Sequence, residues 1–231
     1  MYNAWWLTKD KNFGDLLTPY ILDYFDIKYK HTKIDDADLL CIGSIARRAK
    51  DNTIVLGSGM INGRKEKLNP KADYRFVRGP YTRQRILDNG GKCPPIYGDA
   101  ALLLPYICPA EKKEYSVGIV PHFVDHEYVN KKYPNYHIIN VVNDNPLEVA
   151  KEISKCSTII SSSLHGIIAA HAYGIPAAWV KFSDKIKGDG VKFDDHYAAL
   201  ELNAVLSTVE KPVFSVNSFD CRPLINIFES L

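Results

Sequence analysis

The stretch Cys156-Ser157-Thr158-Ile159-Ile160-Ser161-Ser162-Ser163-Leu164-His165-Gly166-Ile167-Ile168-Ala169-Ala170-His171-Ala172-Tyr173-Gly174-Ile175-Pro176 decides the fold. Its opening is short, apolar and β-branched, as a buried parallel strand requires. Ile167 to Tyr173 then reads as an almost wholly apolar helix, closed by Gly174 and Pro176. Three hydroxyls and a histidine therefore stand where a strand becomes a helix. Free backbone N–H groups and the positive end of the helix dipole converge at such a point, so an anion site is predicted beside Ser162, Ser163, Leu164, His165 and Gly166.

Outward from this segment the same rhythm repeats. Strands are predicted over 3–7, 38–42, 53–56, 74–77, 95–97, 116–120, 137–142, 158–160 and 177–180. Helices are predicted over 16–25, 80–89, 125–133, 146–155, 164–173 and 195–206. Pro105 to Glu114, with two prolines and a charge run, reads as a linker. The expectation is an α/β protein of two Rossmann-like lobes, residues 1–108 and 109–231, facing a cleft. Ligands in such folds bind beyond the carboxyl ends of the strands.

The bulk composition excludes more than it selects. A chain of 231 residues with a formal charge of +2 has no basic face for nucleic acid, and its Lys and Arg are scattered. Five cysteines, spread singly, predict neither a zinc ribbon nor a disulfide framework. No run approaches the length of a membrane span and no basic leader precedes Lys9, so a cytoplasmic protein is expected. No metal is called for, because no His/Cys/Asp cluster has ligand spacing.

The residues after each strand carry the candidate chemistry. Asn12-Phe13-Gly14-Asp15 offers a tight turn at Gly14 and, at Asp15, either a helix cap or a carboxylate facing the cleft. Gly57-Ser58-Gly59 is a flexible turn and a weak phosphate cradle. Arg78, before Gly79-Pro80, is placed to grip a carboxylate or phosphate, or else to form a surface ion pair. Asp99 reads as a turn or cap residue, and His171 as a core histidine. His122 follows the first strand of the second lobe and would share an edge with His165. Lys185 to Tyr197 combines a Gly-rich charged loop with Asp194-Asp195, suiting either a lid or a solvated connector.

Taken in order, Asn12-Phe13-Gly14-Asp15, Gly57-Ser58-Gly59, Val77-Arg78-Gly79-Pro80, Gly98-Asp99-Ala100, Val120-Pro121-His122, Ser162-Ser163-Leu164-His165-Gly166, Tyr173-Gly174-Ile175-Pro176 and Lys192-Phe193-Asp194-Asp195 resemble the polysaccharide pyruvyltransferase family. The resemblance implies a compact relative of two-domain, B-type glycosyltransferases. It implies transfer of pyruvyl from phosphoenolpyruvate onto two hydroxyls of a sugar, as a cyclic ketal, with no other cofactor.

On that resemblance His165 is the acid and Asp15 the base, with Asp194 or Asp195 as substitutes. Asn12, Gly14, Arg78, His122, Ser162, Ser163, Leu164, Gly166 and Asp195 would contact substrate. The second lobe would take phosphoenolpyruvate. The first would take a sugar or lipid-linked oligosaccharide, the latter drawing the protein to the inner membrane face as a peripheral partner. Many relatives carry arginine where this chain has Pro121-His122. Two other functions fit the same fold: a glycosyltransferase using a nucleotide-sugar, and a non-catalytic subunit of polysaccharide assembly.

Overall fold

In the computed structural model, which describes residues 1–63 and 66–231, the first sheet has five parallel strands. These are β1 (Tyr2–Trp5), β2 (Tyr29–His31), β3 (Leu39–Leu40), β4 (Ile54–Leu56) and β5 (Asp73–Phe76), ordered β2-β1-β3-β4-β5. The second comprises β6 (Tyr115–Val120), β7 (His137–Ile138), β8 (Cys156–Ser161), β9 (Ala177–Val180) and β10 (Leu206–Ser207), ordered β7-β6-β8-β9-β10 and again parallel. Counted from its own first strand, the second sheet repeats the order of the first. Each sheet reverses its winding between its first and third strands, and the crevice beyond the strand ends at that point is where doubly wound folds hold ligands. The α/β, two-lobed architecture expected from the sequence is present.

Helices α1 (Leu17–Tyr24), α2 (Pro80–Asp88), α3 (Leu104–Ile107), α4 (His126–Lys132), α5 (Pro146–Ser154), α6 (Leu164–Ala172), α7 (Val191–Ala199) and α8 (Arg222–Glu229) connect and cover the strands. Local signals set their ends. Pro80 opens α2, and the Asn145 side chain accepts from Leu147 N–H at 3.1 Å to open α5 beside Pro146. Helix α6 is apolar all round because it is buried all round, between its own sheet and the turn of Ala100 to Leu103 at the end of the first lobe. One apolar core consequently runs through both lobes, with Ala4, Leu17 and Phe76 in contact through it with Val120, Ile153 and Ile167. Full burial of a side chain such as Ile167 is worth about 1.5–3 kcal/mol.

Several elements depart from expectation. Strands β2 and β10 are short edge strands with exposed, polar sequences, Tyr29-Lys30-His31 and Leu206-Ser207, and carry no hydrophobic signature. Residues 95–97 supply only a bridge from Tyr97 to Val77, and 139–142 leave β7 to meet the first lobe. Helix α7 starts at Val191 rather than Asp195, because left-handed Gly190 and the Asp189 carboxylate, accepting from Val191 N–H, set the start; Glu201, with φ 57°, follows its end. The chain from Val191 onward is therefore packed helix, not lid. Helix α8 returns to the first lobe, where Phe228 stacks on Phe25 at 4.8 Å and meets Phe76 edge-on.

His171 is buried, as expected of a core histidine, and pairs with His196 of α7 at 3.0 Å. Its Nε2–H donates to the Ser215 carbonyl, so His171 Nδ1 accepts from His196 Nε2–H. Burial lowers both, His171 to about 4 and His196 well below the ordinary range. An unfolded chain takes up these protons near pH 6.5 and the folded chain does not. Stability is thus expected to be full above pH 6.5 and to fall as the pH drops toward 4, by roughly 3 kcal/mol for His171. Urea midpoints at pH 7 and pH 5 test this; equal midpoints would be incompatible with a neutral buried pair.

Candidate active site

A cleft of ≈ 280 Å³ lies where the two crevices face each other. The first lobe contributes Asn12 and Asp15 from the loop after β1, and Ser44 from the loop after β3. The second contributes His122 after β6, Ser163, Leu164 and His165 after β8, and Lys192 on α7. Two larger hollows, of ≈ 490 and ≈ 510 Å³, draw on none of these loops.

His165 is the second residue of α6 and is 7% exposed. Its ring lies directly on Gly14, where an added Cβ would stand 1.9 Å from Nδ1, so any side chain at position 14 would displace the imidazole. Nε2 is sealed from solvent and has no hydrogen-bond partner. It faces Asp99 Oδ2, equally buried and unpartnered, at 3.7 Å. The other Asp99 oxygen accepts from Ala101 N–H at 3.0 Å, so the cap role expected for Asp99 is real but uses only half of the carboxylate.

Asp15 is half-buried and caps nothing: α1 starts two residues later, without a side-chain cap. Its Oδ2 accepts from Asn12 Nδ2 at 2.9 Å. Burial pushes its carboxyl above the usual carboxylate range, while the nearby His165 and the Asn12 amide pull the other way. Lys192, 8% exposed, lines the cleft and makes no ion pair or hydrogen bond among the described residues. Burial, then the charge of Arg78, lower its ammonium to about 8, with Asp15 opposing. No backbone bond occupies the N–H groups of Leu164, His165 or Gly166, whereas Ile167 N–H is the first to turn back, onto Ser163. A cation, a helix start, an imidazole and a carboxylate thus share one small space.

The family model for polysaccharide pyruvyl transferase matches residues 1–184. The chain belongs to that family. Over 254 aligned residues it is 28% identical to uncharacterized protein L143 of Acanthamoeba polyphaga mimivirus, covering 98% of this chain and 85% of that one. It is 25% identical over 211 residues to the succinoglycan biosynthesis protein ExoV of Rhizobium meliloti (strain 1021), covering 83% of this chain and 62% of ExoV. No solved structure matches. Membership in the polysaccharide pyruvyl transferase family makes the protein a transferase acting, at the level of the family, in pyruvyl transfer to polysaccharide.

Within this chain the cleft gathers Asn12, Gly14, Asp15, His122, Ser163, Leu164 and His165, and leaves other expected contacts elsewhere. Arg78 is fully buried: its guanidinium donates to Ser44 Oγ at 2.9 Å and to the Met60 carbonyl at 2.7 Å, and pairs with Asp195 Oδ2 at 3.2 Å. It is neither an anion grip nor a surface pair. Asp195 is equally committed, accepting from Thr82 N–H at 2.9 Å and Thr82 Oγ1 at 2.6 Å, so it ties α7 to α2 instead of serving as a base. Gly59 is occupied against the Arg78 guanidinium rather than a phosphate. The Ser162 hydroxyl accepts from His122 N–H at 2.9 Å and fixes that turn. Gly166 is required because α6 crosses Val120 and Ser161 too closely for a Cβ, so its α-carbon faces the sheet.

His122 borders the cleft, but burial and Lys192 lower it to about 4, leaving a neutral ring whose Nδ1 accepts from Val124 N–H. Lys192, quoted in the sequence only as part of the Lys192-Phe193-Asp194-Asp195 motif, was given no place in the site there. Its only signal is position: it stands one helical turn before Asp195, so anchoring Asp195 turns Lys192 inward.

Proposed function

We propose that the protein transfers the pyruvyl group of phosphoenolpyruvate to two hydroxyls of one sugar, forming a ketal. The observation that carries this reading is Lys192, a buried, unpaired cation aimed into the same space as the start of α6 and the His165 ring. That combination suits an anion whose adjacent carbon must be protonated. Lys192 and the first N–H groups of α6 hold the donor's anionic groups, and Lys192 takes the part that arginine plays on the Pro121-His122 turn of many relatives.

His165, as imidazolium, gives its proton to the methylene carbon, leaving C2 as an oxocarbenium. A sugar hydroxyl forms the first C2–O bond as its proton passes to Asp15. The C2–O bond to phosphate then breaks with its electron pair, and the second hydroxyl closes the ketal. Of the two hydroxyl protons, one replaces that spent on the new methyl group and the other leaves on phosphate, so the protein ends unchanged. The acceptor, a polysaccharide unit or its lipid-linked precursor, enters over Asp15 from the first lobe. No further cofactor is used, and a lipid-linked acceptor would bring the protein to the inner membrane face.

Melting temperature in the presence of phosphoenolpyruvate, and separately of nucleotide-sugars, tests the donor, since a ligand of the folded form raises it. Phosphoenolpyruvate is expected to stabilise. Lys192→Met should weaken its binding about 10- to 100-fold, the ~1.5–3 kcal/mol of one charged hydrogen-bonding group. Because the ammonium is charged only below its own pKa, wild-type affinity should fall as pH rises through about 8, and the variant should lack that limb. Stabilisation by a nucleotide-sugar alone would replace this reading with glycosyl transfer. Silence toward both donors, with an acceptor bound, would leave a non-catalytic subunit.

A further inference from the structure

We infer that Asp99 is the positioning residue for the His165 imidazole, and that it does so from the opposite lobe. The inference rests on His165 being the acid of the proposed reaction, but its geometry stands without that. Two buried polar atoms, His165 Nε2 and Asp99 Oδ2, face each other at 3.7 Å and neither has another partner. Buried polar groups are almost always satisfied, and two that point at one another are satisfied by a shift of under about 1 Å.

The carboxylate cannot turn away. Its Oδ1 is held by Ala101 N–H, and the residue follows left-handed Gly98 (φ 139°) at a tight entry into the buried turn of Ala100 to Leu103. The ring cannot turn away either, because Gly14 packs over it at Nδ1 and Cγ. With Nε2–H donated to Asp99, the neutral imidazole carries its hydrogen on Nε2 and presents the Nδ1 lone pair on the edge that reaches the cleft. Protonated, it presents Nδ1–H there. Asp99 accepts a hydrogen bond throughout and takes no proton. It fixes which nitrogen delivers the proton to the donor's methylene carbon.

The other charged groups around His165 are Asp15 and Lys192, which line the same cleft, and His196 lies behind it, held neutral by burial. Asp15 is shared with the acceptor, so Asp99 is the partner that stays when the cleft fills. The ring belongs to α6 of the second lobe and its partner to the first, which makes the acid complete only while the lobes are packed together.

Asp99→Asn tests this, because the amide oxygen can keep the bond to Ala101 N–H while its NH₂ donates where the carboxylate accepted. The first readout needs no substrate: nitrogen-correlated NMR of the histidines in the wild type, expected to show His165 with its proton on Nε2 when neutral. In Asp99→Asn the proton should move to Nδ1. The second readout is turnover: kcat should drop about 100-fold or more with KM for phosphoenolpyruvate changed less than threefold. A wild-type His165 protonated on Nδ1, or a folded Asp99→Asn variant that keeps its proton on Nε2, would overturn the inference. Should Asp99→Asn not fold, the wild-type tautomer alone decides. An NMR result as expected with no phosphoenolpyruvate chemistry would retain the pairing and reject the proposed reaction.

Discussion

His165→Ala should lower phosphate release from phosphoenolpyruvate in the presence of acceptor by roughly 10²–10⁴-fold, the usual worth of a positioned acid. The loss should fall on kcat. Lys192 and the start of α6 remain in place, and helical alanine at the second position of α6 removes no cap. Donor-induced stabilisation should therefore survive, although the melting temperature without ligand should fall, since the variant empties a buried site and leaves Asp99 Oδ2 without the group that faces it. Gln at the same position should fare no better, because it can bond but cannot give up a proton. A variant retaining more than about a tenth of wild-type turnover would remove His165 from the chemistry.

The second large effect is on stability. Asp195→Ala would strand Arg78, whose side chain is entirely buried and already has one unpartnered nitrogen, Nε. Removing one member of a buried pair costs about 3–5 kcal/mol, mostly because the remaining charge is left uncompensated. For a chain of this size the melting temperature should fall by on the order of 10 °C. Thr82 would lose both of its bonds to the carboxylate as well, and α7 would loosen from α2. Replacing both charges at once, Arg78→Met with Asp195→Leu, should recover much of the loss. If the double variant is no more stable than the single one, the pair is not what joins these helices.

Much of the fold could be read from the chain because its buried strands and helix starts announce themselves. The run from Cys156 to Pro176 is a strand, a turn and a helix in the places its residues imply, and the Pro80 and Pro146 starts fall as expected. What escaped were elements with little apolar content, β2 and β10, and α8, whose apolar face makes sense only once Phe25 and Phe76 of the first lobe are beside it.

The candidate site was legible where local structure brings strand ends together, since Asp15, His165 and the α6 start line one cleft. It was not legible where a charged residue had two destinies. Arg78 and Asp195 each looked like a ligand group, but they satisfy one another across the lobes, a pairing between positions far apart in sequence. Lys192 was quoted in the Lys192-Phe193-Asp194-Asp195 motif but given no role, because its charge is ordinary and only burial without a counter-ion makes it informative.

The apolar core that passes from Ala4 and Phe76 through α6 to Val120 and Ile153 has a thermodynamic consequence. Two sheets that look like separable modules share their largest favourable free-energy term, so neither has a full enclosure of its own to fall back on. Denaturation of one would expose the covering face of the other, so the two are expected to melt as a single cooperative unit. The imidazole and its carboxylate, contributed from opposite sides of that unit, are then assembled and lost in the same transition that makes and unmakes the protein.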